Sequence, residues 1–249
     1  MPGDYITTAW HSCKSRNHNK MKTKYEENPT ENLTLNDAQI GFAQNTEPRC
    51  PCAVLIDVSG SMKGKPIAEA NAGLQDLKTK LVEDSLACLR VELALVTFTE
   101  TVKVEVDFCS PDQFNPPILT TGGGTSLGAA IIKTLEILKA RCAEYRAAGI
   151  SHYRPWLIVI TDAHSGDDIF EAARQVKEAE SQKKLAFFGI GVQTVDMASM
   201  ASLSLRPPLH LDGLKFQELF EWLSVNLSSV AVSRPGDQVA LTAPTWATV

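Results

Sequence analysis

The sequence predicts an α/β domain: a doubly wound, mostly parallel sheet with one antiparallel edge strand and helices on both faces. Three observations carry this. Apolar runs of strand length recur at Ala53–Asp57, Val91–Phe98, Trp156–Ile160 and Leu185–Ile190, with the continuous hydrophobicity of strands covered on both faces. Longer segments with apolar residues at helical spacing separate them. A chain of 249 residues is long enough for one such domain with extensions and a full core.

Taken in order, Ala53 to Asp57 forms the first strand, and Gly60 permits the sharp turn that ends it. A helix begins near Pro66, a residue suited to a first helical turn, with Ala68, Ala72, Leu74, Leu77 and Leu81 at roughly helical spacing. Val91 to Phe98 is a second buried strand. Thr101 to Phe108 alternates Val102, Val104, Val106 and Phe108, as an edge strand with one solvated face does, and the short link at Thr99-Glu100 makes the pair an antiparallel hairpin. A helix from Leu127 to Tyr145 follows, then the strand ending at Asp162, a helix from Ile169 to Ala179 and the strand Leu185 to Ile190. A short helix near Met197 to Leu203, a weak edge strand near Leu209 and a helix from Phe216 to Val230 complete the alternation. The last helix places Phe216, Leu219, Phe220, Leu223 and Leu227 on one face, and Trp222, at the edge of that stripe, is expected to be buried.

Residues 1–48 read as a polar, partly basic N-terminal extension, flexible and weak in apolar periodicity; 49–230 as the α/β domain; 231–249 as a C-terminal tail. His11, Cys13 and His18 read as solvated side chains of that extension rather than as metal ligands. In the tail, Val239-Ala240-Leu241 and Trp246 predict that residues 230–246 fold back along the domain, with Val239 and Leu241 as a short extended anchor. A disordered terminus is the alternative.

The net charge of −5 and pI near 5.6 give no general pull towards nucleic acid or anionic membrane. No apolar stretch approaches the length of a membrane span, and the N-terminus lacks a hydrophobic signal core, so a cytoplasmic protein is expected. The six cysteines are scattered, Cys50-Pro51-Cys52 lacks the spacing of a redox or zinc pair, and reduced thiols are expected, with Cys88 and Cys142 as small buried hydrophobes.

The chemistry lies in three turns. Asp57-Val58-Ser59-Gly60-Ser61 sets one carboxylate and two hydroxyls at alternate positions after the first strand. Thr121-Gly122-Gly123-Gly124-Thr125-Ser126 is a glycine-rich loop ahead of a helix, and Asp162 ends another buried strand. Taken singly, each reads as a helix cap or a solvated turn. Together they bring Asp57, Ser59, Ser61, Thr125 and Asp162 to strand C-terminal ends and helix N-termini, the edge where open α/β sheets bind ligands. Oxygen-only donors of low total charge suit a hard divalent cation, Mg²⁺ in particular.

The order and chemistry of these loops resemble the von Willebrand factor A (VWA) family and its metal-ion-dependent adhesion site. The resemblance runs from about Pro51 to Leu227 and implies that Asp57, Ser59, Ser61, Thr125 and Asp162 hold one Mg²⁺, with Mn²⁺ or Ca²⁺ as alternatives. One departure stands beside it: the family usually follows its last Asp with Gly, whereas here the sequence is Asp162-Ala163-His164-Ser165-Gly166-Asp167-Asp168, so that loop is expected to differ in shape.

Within the family, Arg49-Cys50-Pro51-Cys52, Tyr153-Arg154-Pro155-Trp156, the helix from Phe216 to Ser224 and Ser233-Arg234-Pro235-Gly236 resemble the bacterial tellurium-resistance-associated (TerY-type) branch. That resemblance implies a cytoplasmic adaptor, not an enzyme, working beside a 2C-type protein phosphatase and a serine/threonine kinase-like protein in a stress or phage-defence response. The expected function is therefore metal-dependent capture of a partner protein through its Asp or Glu, without nucleic-acid or membrane binding. The alternative is a metal-dependent phosphoester hydrolase, for which His164, Asp167 and Asp168 are the candidate bases. A scaffold with a vestigial site is a third reading.

Overall fold

The structure, a computed structural model, describes residues 42, 44–162, 166–193 and 195–248, all within a unit spanning residues 36–249. His11, Cys13, His18 and His164 lie outside the described residues. The elements are β1 (Cys50–Asp57), a 3₁₀ turn (Gly60–Met62), α1 (Lys65–Glu83), α2 (Ser85–Arg90), β2 (Val91–Phe98), β3 (Val102–Cys109), α3 (Leu127–Ala147), β4 (Trp156–Thr161), α4 (Phe170–Ser181), β5 (Ala186–Val192), α5 (Met197–Leu203), β6 (Leu209–Leu211), α6 (Phe216–Val232) and β7 (Ala247–Thr248).

Every residue of β1, β2, β4 and β5 is buried, because helices cover both faces of the sheet they form. The strand order is β3-β2-β1-β4-β5-β6-β7, with β3 antiparallel at one edge. The period of two along β1 sorts its side chains between two cores. Cys52, Val54 and Ile56 meet α1 and α6, while Ala53 and Leu55 meet α3 and α4. Among the described residues no helix is long and apolar enough to cross a membrane.

Three details differ from the sequence pattern. Ala68 and Ala72 of α1 face solvent, and Ala70 and Gly73 take the inward positions beside Leu74, Leu77 and Leu81. The alternation of β3 is broken by two register shifts against β2: Val102 and Phe108 pack on one core, Val106 packs on the other and Val104 is exposed. Cys88 is half-buried rather than buried, since α2, whose N-terminus is capped by Asp84 accepting from Leu86 N and Ala87 N, lies at the surface. The five described cysteines are free thiols.

Residues just ahead of β1 are held to the domain. Phe42 packs in a small cluster with Tyr145 and Ile150, under the Arg141 guanidinium at 4.9 Å, and Glu47 pairs with Arg90 at 2.6 Å. Beside them the buried Glu92 carboxylate accepts from Arg49 Nε (3.2 Å), Arg141 Nε (2.7 Å) and Tyr145 OH (2.6 Å).

At the other end the chain returns across α6. Trp246 is 1 % exposed and meets Trp222 edge-on, their rings 5.8 Å apart. Trp222 Nε1 donates to the Thr242 carbonyl (2.7 Å), and Asn226 donates to Thr242 Oγ1 (2.9 Å) and accepts from Thr242 N (2.9 Å). Val239 and Leu241 are half-buried on the same core. The strand pairing itself comes later than those two residues: β7 joins β6 antiparallel, His210 opposite Thr248 and Leu211 opposite Ala247.

Two stability predictions follow from this packing. A Cβ on Gly73 would stand 2.3 Å from Phe220 Cδ2 and 3.3 Å from the Phe216 carbonyl, so α1 and α6 approach as closely as they do only because this residue lacks one. Gly73→Ala should lower stability by about 1–3 kcal/mol through overpacking, although alanine is the better helix former by about 1 kcal/mol; urea unfolding measures it. Trp246→Ala should cost about 3–5 kcal/mol. Trp246→Phe should cost clearly less in the same assay, because the buried Trp246 Nε1–H has no hydrogen-bond partner among the described residues.

Candidate metal centre

From β1 the chain proceeds outward in one direction to β2 and β3, and from β4 in the other direction to β5 and β6. The strand order thus reverses between β1 and β4, and a crevice opens at their C-terminal ends. Asp57 is the last residue of β1, and Asp162 directly follows β4. The parallel register pairs Ile56 with Ile160, which brings Asp57 level with Thr161.

Asp57 is fully buried. Its Oδ1 accepts from Ser59 N (2.8 Å) and its Oδ2 from Thr161 Oγ1 (2.6 Å). Ser59 Oγ and Ser61 Oγ share a hydrogen bond of 2.9 Å, and Ser61 Oγ donates to Asp162 Oδ1 at 2.7 Å. Four of the five residues singled out in the sequence therefore form one network across the crevice, from the dry Asp57 to the exposed Ser61.

Thr125 enters through its backbone. The glycine-rich loop is tied to the first turn by Gly122 N to the Val58 carbonyl (2.9 Å) and by Gly60 N to the Gly123 carbonyl (3.2 Å). It is tied to the third loop by Gly166 N donating to the Thr125 carbonyl at 2.7 Å. Gly123 has a φ of +81°, a conformation that favours glycine, and Gly124 N donates to Glu100 Oε1 at 2.6 Å. Ser126, at the N-cap of α3, makes no side-chain capping bond. Asp167 caps that helix instead, accepting from Gly128 N (3.1 Å) and Ala129 N (2.9 Å). Asp168 Oδ1 accepts from Phe170 N (2.8 Å) at the start of α4.

Thr161, Glu100 and Asp167 are the site's supporting residues that sequence reasoning missed or misread. Thr161 had a signal, since its place in β4 aligns it with Asp57 once the two strands are paired. Glu100 had none beyond its place in a hairpin turn. Asp167, considered as a base, is engaged at a helix N-terminus.

The donor set suits a divalent cation. Two carboxylates balance a charge of two, the hydroxyls add neutral oxygens, and all are hard ligands. Among the described residues, Asp57 has amide and hydroxyl donors but no cationic partner.

This sheet order, with its loops gathered at the C-terminal edge, defines a doubly wound α/β domain. The chain belongs to the von Willebrand factor type A domain family, whose profile matches residues 53–224. Proximal thread matrix protein 1 of the mussel byssus has a similar fold, with a TM-score of 0.52 at 14 % identity over 74 % of this chain and 48 % of its own. A structure of that protein with a zinc-occupied MIDAS motif, the metal-ion-dependent adhesion site, gives 0.52 at 15 % identity over 74 % and 49 %. The pilus adhesin SpaC from Lactobacillus rhamnosus GG gives 0.58 at 14 % identity over 75 % of this chain and 32 % of its own. These likenesses are of fold, and the chain spans about half the length of the mussel protein. No curated protein matches the chain in sequence.

Burial, with a small addition from the charge of Asp162, raises the Asp57 carboxyl above its ordinary value of 3.8, against the hydrogen bonds from Ser59 and Thr161 that lower it. The folded state therefore holds this proton more tightly than the unfolded chain does. The stability that follows is fully present below the ordinary value and is lost as pH rises through the raised folded value. In EDTA at pH 7.5, Asp57→Asn should match or exceed the unsubstituted protein in thermal midpoint, and the difference should shrink as pH falls through the folded value towards 4; differential scanning calorimetry checks both.

Proposed function

We propose that this protein is a metal-dependent protein-binding adaptor and not an enzyme. Asp57, Ser59, Ser61, Thr125 and Asp162 would hold Mg²⁺, with Mn²⁺ or Ca²⁺ as alternative occupants, and a partner's Asp or Glu would supply a further oxygen. The observation that carries this is the network that joins two carboxylates across the crevice: Ser59 N donates to Asp57, and the Ser59 and Ser61 hydroxyls continue the path to Asp162. Family membership and the zinc-occupied motif of the mussel protein support a divalent cation at this place. A bound cation supplies the positive point at which a carboxylate oxygen binds. The chain's own residues orient the donors: Thr161 and Ser59 N fix the Asp57 carboxylate, and Asp167 and Gly166 fix the third loop on the glycine-rich one. The capping work of Asp167 and Asp168 supports the non-catalytic reading over the phosphoester hydrolase.

The setting we propose is that of the tellurium-resistance-associated (TerY-type) branch: a cytoplasmic protein acting with a kinase-like protein and a 2C-type phosphatase in stress or phage defence. The four stretches that carry this resemblance come together at the N-terminal edge of the sheet. Tyr153 N donates to the Arg49 carbonyl (2.8 Å), Tyr153 OH donates to the Ser233 carbonyl (2.5 Å), and Trp156 and Trp222 both pack on Phe188.

Titration with Mg²⁺ should raise the thermal midpoint of the protein, and Mn²⁺ followed by electron paramagnetic resonance should count one ion per chain. Asp57→Ala should lower metal affinity at least 100-fold with the circular dichroism spectrum unchanged, and should abolish Mg²⁺-dependent capture of the partner. Equal capture in EDTA, or by Asp57→Ala, overturns the proposal.

A further inference from the structure

At the end of the sheet opposite Asp57 and Asp162 lies a groove of about 1320 Å³. It runs between α3 and α4, under the N-terminal ends of β4 and β5, and reaches the tail at Gly236–Leu241. Strands of six to eight residues separate it from the metal edge by roughly 20 Å. The two sites are therefore distinct.

Seven lysine and arginine side chains line this groove against two carboxylates, on a chain whose net charge is −5. Arg174 and Arg206 are already paired, with Glu171 and Glu178 and with Glu180. The other five are exposed and have no carboxylate at ion-pair distance among the described residues: Lys139 and Arg146 on α3, Arg154 ahead of β4, and Lys183 and Lys184 ahead of β5. Five unneutralised cations around one concavity set up a positive field that neighbouring carboxylates do not cancel. Between them the accessible wall is apolar at the half-buried Val239 and Leu241, with the buried Leu138, Trp156 and Leu185 behind.

Charge and wall together select the occupant. Alternate residues of an extended chain point to opposite sides, so a segment that alternates acidic and apolar side chains can set the first against the basic rim and the second against the apolar wall. A single-stranded nucleic acid would satisfy the charge but needs open aromatic faces for its bases to stack on. Tyr153 and Trp156, the tyrosine and tryptophan of this wall, are buried. We infer that the groove is a second binding site, which takes an extended acidic segment of a partner protein independently of the metal centre.

The probe is a fluorescein-labelled ten-residue peptide alternating glutamate with leucine and valine, followed by anisotropy with the full chain. Binding should weaken severalfold between 50 and 300 mM NaCl and at least tenfold in Arg146→Glu/Arg154→Glu, while EDTA and Asp57→Ala leave it unchanged. Thermal midpoints confirm folding of the variants, and Arg146→Gln/Arg154→Gln, which removes charge without reversing it, should give a smaller loss in the same direction. The inference is overturned if charge reversal has no effect, if the lysine version of the peptide binds equally well, or if EDTA abolishes binding, which would place the peptide at the metal edge. Tighter binding of a ten-nucleotide oligothymidylate also overturns it, making the groove a nucleic-acid site.

Discussion

Asp57 ends a strand whose neighbours on both sides run parallel to it, and its carboxylate sits dry in the crevice where the sheet changes direction. A charge in that position must be met by donors or lose its ionisation, because low-dielectric burial is costly for an unpaired ion. The fold meets it from two sides: Ser59 N from its own turn and the Thr161 hydroxyl from the adjoining strand. Ser61 then relays to Asp162, so the first and third loops are fixed relative to each other. The glycine-rich loop follows, tied to Val58, Gly60 and Gly166 through backbone groups alone. The candidate metal site is thus held on rigid strand ends, with the buried Asp57 carboxylate the group whose ionisation the fold works hardest to support.

The opposite end of the sheet is built on different chemistry. Aromatic rings run from Trp156 through Phe188 and Trp222 to Trp246, and they join the β4 and β5 starts to α6 and the returning tail. The buried Glu92 carboxylate, held by Arg49, Arg141 and Tyr145, binds α3 to the starts of β1 and β2. Outside that framework Lys139, Arg146, Arg154, Lys183 and Lys184 line the groove without an ion-pair partner among the described residues.

Most of the architecture was legible because buried parallel strands leave continuous apolar runs and helices leave a 3.6-residue period. The short helix α2 was not, since six residues carry less than two turns of pattern. The inward positions of α1 were misjudged because a glycine at a helix–helix contact has no hydrophobic signal, although Gly73 is where α6 comes closest. In β3 the valines alternate in sequence while two register shifts turn them to different faces, a feature of pairing that no single strand records. At the candidate site, residue type and position single out Asp57, Ser59, Ser61 and Asp162, and the fold brings these four together. The partners Thr161 and Asp167 emerged only once strand register and loop docking were known, because their roles depend on distances across more than a hundred residues and about forty residues respectively.

The two margins of the sheet are closed differently. β3 alternates Lys103 and Glu105 with its valines, and charged side chains on an outer strand discourage pairing with another molecule. β6 carries no charge of that kind in its three residues, Leu209 to Leu211, and among the described residues its outer side is covered by the two residues of β7. β7 therefore acts as a seal on that margin. Proteolysis ahead of Ala247 would uncover the backbone groups of β6 that β7 now pairs, the kind of open edge on which another strand can add.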